Sequence, residues 1–131
     1  MEQNITVLGI GKLGLGLALL IEEAGYNVCG VDIFPSYINA LNSKTFETKE
    51  PGYKELLKNS KNFHATTDLN KGLNHSDIIF ICVQTPNNGN ENFYDHSILS
   101  NLLLEINNTN VKNKNIIIGC TVMPGYIRNI G

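Results

Sequence analysis

No run of basic residues occurs in this sequence. Ten Lys and Arg stand against twelve Asp and Glu, for a formal net charge of −2. Nothing in that balance offers the electropositive face a nucleic acid needs. Cysteine is scarce: Cys29, Cys82 and Cys120 each lie in or at the end of an apolar run. Their spacing fits no zinc motif, so no metal is expected. They read instead as buried thiols of a reduced, cytoplasmic protein. Long hydrophobic runs are missing as well. The apolar stretch Leu13–Ile21 is too short to cross a bilayer and is interrupted by glycine, which excludes a membrane partner. The opening Met1-Glu2-Gln3-Asn4 lacks the basic start of a secretory signal.

What is present is organised around residues 4–32. Ile5, Thr6, Val7 and Leu8 read as a short buried strand. Gly9, Gly11 and Gly14 then spell G-x-G-x-x-G, and an apolar helix follows over about Lys12–Ala24, with Gly25 at its exit. Val28 to Val31 form a second strand, closed by Asp32. Between a strand and a helix, with an acid some twenty residues on, the glycine pattern is the dinucleotide fingerprint. Gly9 permits the tight turn, Gly11 leaves room for a pyrophosphate, and Gly14 lets the helix approach the sheet. The N–H groups around Lys12 and Leu13, with the helix dipole behind them, suit a phosphate. Asp32 would accept the ribose hydroxyls and repel a 2′-phosphate, and no Arg lies nearby to offset it. That pattern implies NAD and not NADP.

At 131 residues with 42% hydrophobic content, the chain is expected to form one domain with a substantial core. Phe34-Pro35 opens a short helix carrying Ile38 and Leu41 and ending near Asn42. An irregular polar stretch over 43–50 leads to the Glu50-Pro51-Gly52 turn and a helix with Tyr53, Leu56 and Leu57. A third strand covers Phe63–Thr66, and Asp68 caps a helical turn with Leu69 and Leu73. Asp77–Val83 reads as a central parallel strand, buried on both faces. After a polar loop, Asp95 is expected to cap a helix with the apolar stripe Ile98, Leu99, Leu102, Leu103 and Ile106; Ile116–Gly119 is the fifth strand. The alternation predicts an α/β fold of Rossmann type: a doubly wound parallel sheet, helices on both faces, strand order 3-2-1-4-5. Its ligand rim would gather the glycine turn, Asp32, Val83-Gln84-Thr85-Pro86 and Cys120-Thr121.

Taken in order, Gly9–Gly14, Val31-Asp32, Glu50-Pro51-Gly52, Val83-Gln84-Thr85-Pro86, Tyr94-Asp95 and Thr121-Val122-Met123-Pro124-Gly125 resemble the amino-terminal domain of the UDP-glucose/GDP-mannose dehydrogenase family. The match is closest to its UDP-glucose 6-dehydrogenase branch and covers nearly the whole chain. The resemblance implies oxidation of the C6 alcohol of a nucleotide sugar to a carboxylate with two NAD in succession. It further implies that Leu13 lies in the pyrophosphate turn, that Asp32 holds the adenosine ribose, and that Val83 and Thr85 pass beside the nicotinamide. Thr121 would lie near the nicotinamide in a supporting catalytic role, and Glu50-Pro51-Gly52 would be structural.

Three positions depart from the family pattern. Lys12 stands where an aromatic is common, and either helps neutralise the pyrophosphate or points to water. Tyr37 stands where a Lys or Arg often meets the adenosine, which implies a weaker hold on the cofactor. Cys120 replaces a Ser and reads as packing, not as a nucleophile. The family's catalytic cysteine, lysine, asparagine and glutamate have no counterpart here. His64 in a strand, His75 in a loop and His96 at a helix start do not replace them. The expectation is a cofactor-binding half over residues 1–131, whose sugar-binding domain and homodimer contacts lie elsewhere. GDP-mannose and N-acetylated UDP-sugar dehydrogenases, and a stand-alone NAD-binding module, remain open alternatives.

Overall fold

The computed structural model describes residues 3–85 and 96–120. Five parallel strands form one sheet in the order β3-β2-β1-β4-β5, as predicted. They are β1 (Asn4–Leu8), β2 (Asn27–Val31), β3 (Phe63–Thr66), β4 (Ile78–Ile81) and β5 (Asn115–Ile118). Among the described residues five helices connect them: α1 (Lys12–Glu23), α2 (Pro35–Asn42), α3 (Tyr53–Asn59), α4 (Leu69–His75) and α5 (Ser97–Asn108).

Two apolar layers hold the sheet, because successive strand residues face opposite sides. Val7, Val28 and Ala65 meet Leu15, Ala18 and Leu19 of α1, Ile38 and Leu41 of α2, and Leu57 of α3. Leu8, Cys29, Val31, Ile79 and Ile81 meet Leu73 of α4 and Leu99 and Ile106 of α5. Thr6 is fully buried on the second face, and its hydroxyl donates to the carbonyl of Gly72 at 2.7 Å. A methyl on Gly72 would lie 2.5 Å from Val31 Cγ2. Glycine is what lets α4 settle so close to the sheet.

Several local expectations hold. Gly25 takes a φ of +112° after α1, Pro35 opens α2, and Asp68 caps α4 by accepting from the Asn70 and Lys71 N–H groups. Others shift. The strand predicted over 77–83 spans only Ile78–Ile81, because its partner β1 ends at Leu8, which pairs with Ile81. His75 belongs to the last turn of α4, not to a loop. Its Nε2 lies 3.0 Å from the Asn27 carbonyl oxygen, and its ring meets His64 edge to face at 5.5 Å. Ile98 is 47% exposed and lies off the buried stripe of α5. Asp95, expected to cap α5, lies outside the described residues. The N-cap position is taken by His96.

Candidate functional site

Strand register builds the site. Leu8 is paired with Val31 and with Ile81, Val31 with Thr66, and Ile81 with Ile118, so five residues form one row across the sheet. The segments beyond that row therefore leave the sheet side by side. They begin at Gly9, Asp32, Cys82 and Gly119, each N–H donating to the last carbonyl of a neighbouring strand. This is the switch point, where consecutive strands turn to opposite sides of β1 and a crevice opens.

The three motif glycines are required for different reasons. Gly9 has a φ of +87°, and a side chain there would press within about 3 Å of Cys82 and Val83. Gly14 lies so close to the turn that a Cβ would sit 1.9 Å from the Gly9 carbonyl oxygen. Gly11 differs: its φ of −68° suits any residue, and a Cβ there would meet nothing within 4 Å among the described residues. Gly11 is also the N-cap of α1, with no side chain to cap and no acid in the first turn. The N–H groups of that turn are left to whatever enters the crevice. Such a mouth can seat an anion.

Asp32 is held rigidly at the end of β2. One carboxylate oxygen accepts the Ile10 N–H at 3.0 Å, the other accepts the Ile33 N–H at 2.7 Å. Each oxygen keeps a second lone pair for a further donor. Leu13 is 69% exposed at the mouth. Val83 packs against the α4–α5 layer and touches the space over Gly9, while Thr85 is half-buried on the same exit. Thr121, Pro86 and residues 122–125 lie outside the described residues.

Between the glycine turn and residues 44–53 lies a cleft of about 260 Å³, with Gly11, Lys12 and Leu15 on one wall and Phe46, Thr48 and Glu50 on the other. Lys12 spans it, with Nζ 2.9 Å from Glu50 Oε1. That partner raises the Lys12 pKa by hydrogen bonding and by charge. The lysine thus meets a carboxylate of the Glu50-Pro51-Gly52 turn, a contact that neither sequence reading of Lys12 included. Two tyrosines close the cleft. Tyr37 donates its hydroxyl to the Ile10 carbonyl, and its ring packs edge-on against Phe46 at 5.1 Å. Burial, then the nearby Asp32 and Tyr53, push its pKa to about 12, so it stays a donor. Tyr53 donates to the Lys12 carbonyl at 2.8 Å, reaching it across Gly16, where a Cβ would collide with the hydroxyl at 2.0 Å. Sequence reasoning noted Tyr37 only as a missing cation near the adenosine, and left Tyr53 out of the site. The available signal was Gly16 itself, since a glycine inside a helix costs about 1 kcal/mol relative to alanine and calls for a packing reason.

The thiols are not set up as nucleophiles. Burial pushes Cys29 to about 11 and raises Cys82 and Cys120 as well. All three are free thiols, and Cys120 Sγ donates to the Ile81 carbonyl at 3.4 Å. Among the described residues no group of three His, Cys, Asp or Glu could hold a metal, and no helix is long and apolar enough to cross a membrane.

Fold and rim together define a dinucleotide-binding domain of Rossmann type. Over residues 3–131 the chain matches the NAD binding domain of the UDP-glucose/GDP-mannose dehydrogenase family, and it belongs to that family. Its cofactor is NAD. It is 39% identical over 87 residues to UDP-N-acetyl-D-mannosamine dehydrogenase of Methanococcus vannielii, covering 64% of this chain and 19% of that protein. It is 29% identical to GDP-mannose 6-dehydrogenase of Pseudomonas syringae pv. tomato, covering 97% of this chain and 30% of that one. The crystal structure of GDP-mannose dehydrogenase from Pseudomonas aeruginosa superposes with a TM-score of 0.87 at 29% identity, over 96% of this chain and 30% of that one. The chain therefore spans less than a third of the length of these relatives.

Proposed function

We propose that this chain is the cofactor-binding part of a nucleotide-sugar 6-dehydrogenase. In this reading the Gly9–Gly14 turn, with Lys12 and Leu13, seats the NAD pyrophosphate. Asp32 takes the adenosine ribose hydroxyls, and Val83, Thr85 and Thr121 flank the nicotinamide. When bound, the nicotinamide supplies the hydride acceptor. The chain's own residues bind and orient it and exclude a 2′-phosphate. The observation that carries the reading is Gly11: neither its φ nor any neighbour among the described residues requires glycine, which leaves its missing side chain to serve something else. A pyrophosphate beside an uncapped helix N-terminus fits that space.

UDP-glucose is the substrate that the motif resemblance favoured. The named relatives instead support GDP-mannose or UDP-N-acetylmannosamine at least as well. All three share the chemistry that matters here, a nucleoside-diphosphate hexose with a primary alcohol at C6. Following NADH formation by the full-length protein with each sugar in turn tests the reading. Turnover of one of them, with NADP inert, supports it. Turnover of none, with NAD bound normally, would restrict the chain to a binding role.

A further inference from the structure

The backs of two peptide units in the glycine turn are held by tyrosines from separate parts of the chain. Tyr37, on α2, donates to the Ile10 carbonyl. Tyr53, at the start of α3, donates to the Lys12 carbonyl. The described peptides are trans, and across a planar trans peptide the carbonyl and the next residue's N–H point in opposite directions. Fixing the Ile10 carbonyl therefore aims the Gly11 N–H, and fixing the Lys12 carbonyl aims the Leu13 N–H. Gly11 and Leu13 both belong to the N-terminal end of α1, beyond the glycine turn.

We propose that Tyr37 and Tyr53 are positioning residues that turn the Gly11 and Leu13 N–H groups toward the dinucleotide's pyrophosphate. The inference rests on the cofactor reading above. The surroundings are built for it. Asp32 holds the Ile10 N–H, so both polar backbone groups of Ile10 are fixed, and its fully buried side chain lies over Gly30. Phe46 steadies the Tyr37 ring, and the missing side chain of Gly16 admits Tyr53. Lys12 opens α1, so its carbonyl already has a regular helical partner one turn on. The Tyr53 bond is exposed to solvent and adds little to folding stability. What it adds is a second hold on the direction of a carbonyl at the frayed first turn of the helix.

The test uses the ¹⁵N-labelled chain with Tyr37→Phe and Tyr53→Phe. Without ligand, Tyr37→Phe should move the Gly11 amide resonance and Tyr53→Phe that of Leu13. Gly16→Ala, which must displace Tyr53, should reproduce the Leu13 change. In calorimetric titrations each Phe variant should bind NAD and ADP-ribose roughly three- to tenfold more weakly, the loss of one modest hydrogen bond's influence. Adenosine, which lacks the pyrophosphate, should bind as it does to the parent. Parent-like NAD affinity in both Phe variants would overturn the clamp and leave the cofactor reading standing. An equal loss for adenosine would also overturn it, by revealing general loosening. A parent chain that ignores NAD, even with the amide changes present, would overturn the cofactor reading and the proposal together.

Discussion

A Cβ on Gly14 would stand 1.9 Å from the carbonyl oxygen of Gly9. Gly14 therefore belongs to the fold, whereas Gly11 faces open space among the described residues, which the proposed function gives to the ligand. Gly14→Ala drives a methyl into backbone that cannot yield, and should destabilise the domain by on the order of 3 kcal/mol or more. Gly11→Ala changes only an N-cap and should cost about 0.5–1 kcal/mol. Gly11→Val likewise meets no positive φ and should remain folded while losing NAD. Thermal melts paired with NAD titrations separate the two positions. A Gly11→Val chain that binds NAD normally would remove the pyrophosphate from this turn.

Asp32 leads to a cofactor preference. Two backbone N–H groups lock its carboxylate, so it cannot swing away from a 2′-phosphate. The charge repulsion and the lost ribose hydrogen bonds should favour NAD over NADP by roughly 2–4 kcal/mol. Competing titrations of the two cofactors measure the difference directly. Equal affinity would show that Asp32 serves only to hold Ile10 and Ile33.

Much of this was legible because it is local or periodic. Strand order followed from alternating apolar runs and helices, and the rim from the ends of those runs. The glycine triplet announced its turn because three glycines at that spacing have few other uses. The tyrosine contacts were hidden for a physical reason. Tyr53 lies at helical spacing with Leu56 and Leu57 and so reads as core, while Tyr37 reads only as a missing cation near the adenosine. Only the packed fold brings their hydroxyls to carbonyls 27 and 41 residues away. Lys12 was ambiguous for the same reason, since its carboxylate partner, Glu50, is supplied by a distant turn. The exposure of Ile98 was equally illegible, because a periodic stripe does not say how far a neighbouring layer extends.

The contact between Thr6 and Gly72 sets up a stability test. Gly72→Ala would gain about 1 kcal/mol of helix propensity. It would also force a methyl to 2.5 Å from Val31 Cγ2, and overpacking of that kind costs about 1–3 kcal/mol. The clash should win and lower the melting temperature. Thr6→Val keeps the shape but strands the buried Gly72 carbonyl, for a loss of roughly 1–3 kcal/mol. Denaturant melts of both variants check the order. A stabilised Gly72→Ala would mean that α4 can lift from the sheet.

Acid should weaken the fold in part through His64. Burial first, then His75 and Lys71, hold its pKa below the ordinary 6.5. Between the native and unfolded values the unfolded chain holds more protons, so stability rises with pH across that window. The contribution is intact above about 6.5 and disappears as the pH falls through the native value. His64→Gln should flatten this part of the stability profile. A parallel profile in the variant would place the titration elsewhere.

The last expectation concerns catalysis by these 131 residues alone. Carrying an alcohol to a carboxylate takes a base for the first hydride transfer and a nucleophile to trap the aldehyde before the second. The three thiols are poor candidates for that nucleophile. Burial raises all three pKa values, Cys29 to about 11, and a thiol reacts as its thiolate. Cys120 is further occupied with the Ile81 carbonyl. Among the histidines, His64 is held neutral against His75 on the α4 side of the sheet, away from the glycine turn. Binding is a separate matter, because the turn, Asp32 and the β4 exit are all local to this rim. The chain alone should therefore bind NAD and form no NADH with UDP-glucose, GDP-mannose or UDP-N-acetylmannosamine. At neutral pH its thiols should react with iodoacetamide far more slowly than free cysteine. NADH production that Cys120→Ala abolishes would show that the half-buried thiol just beyond β5 does the chemistry after all.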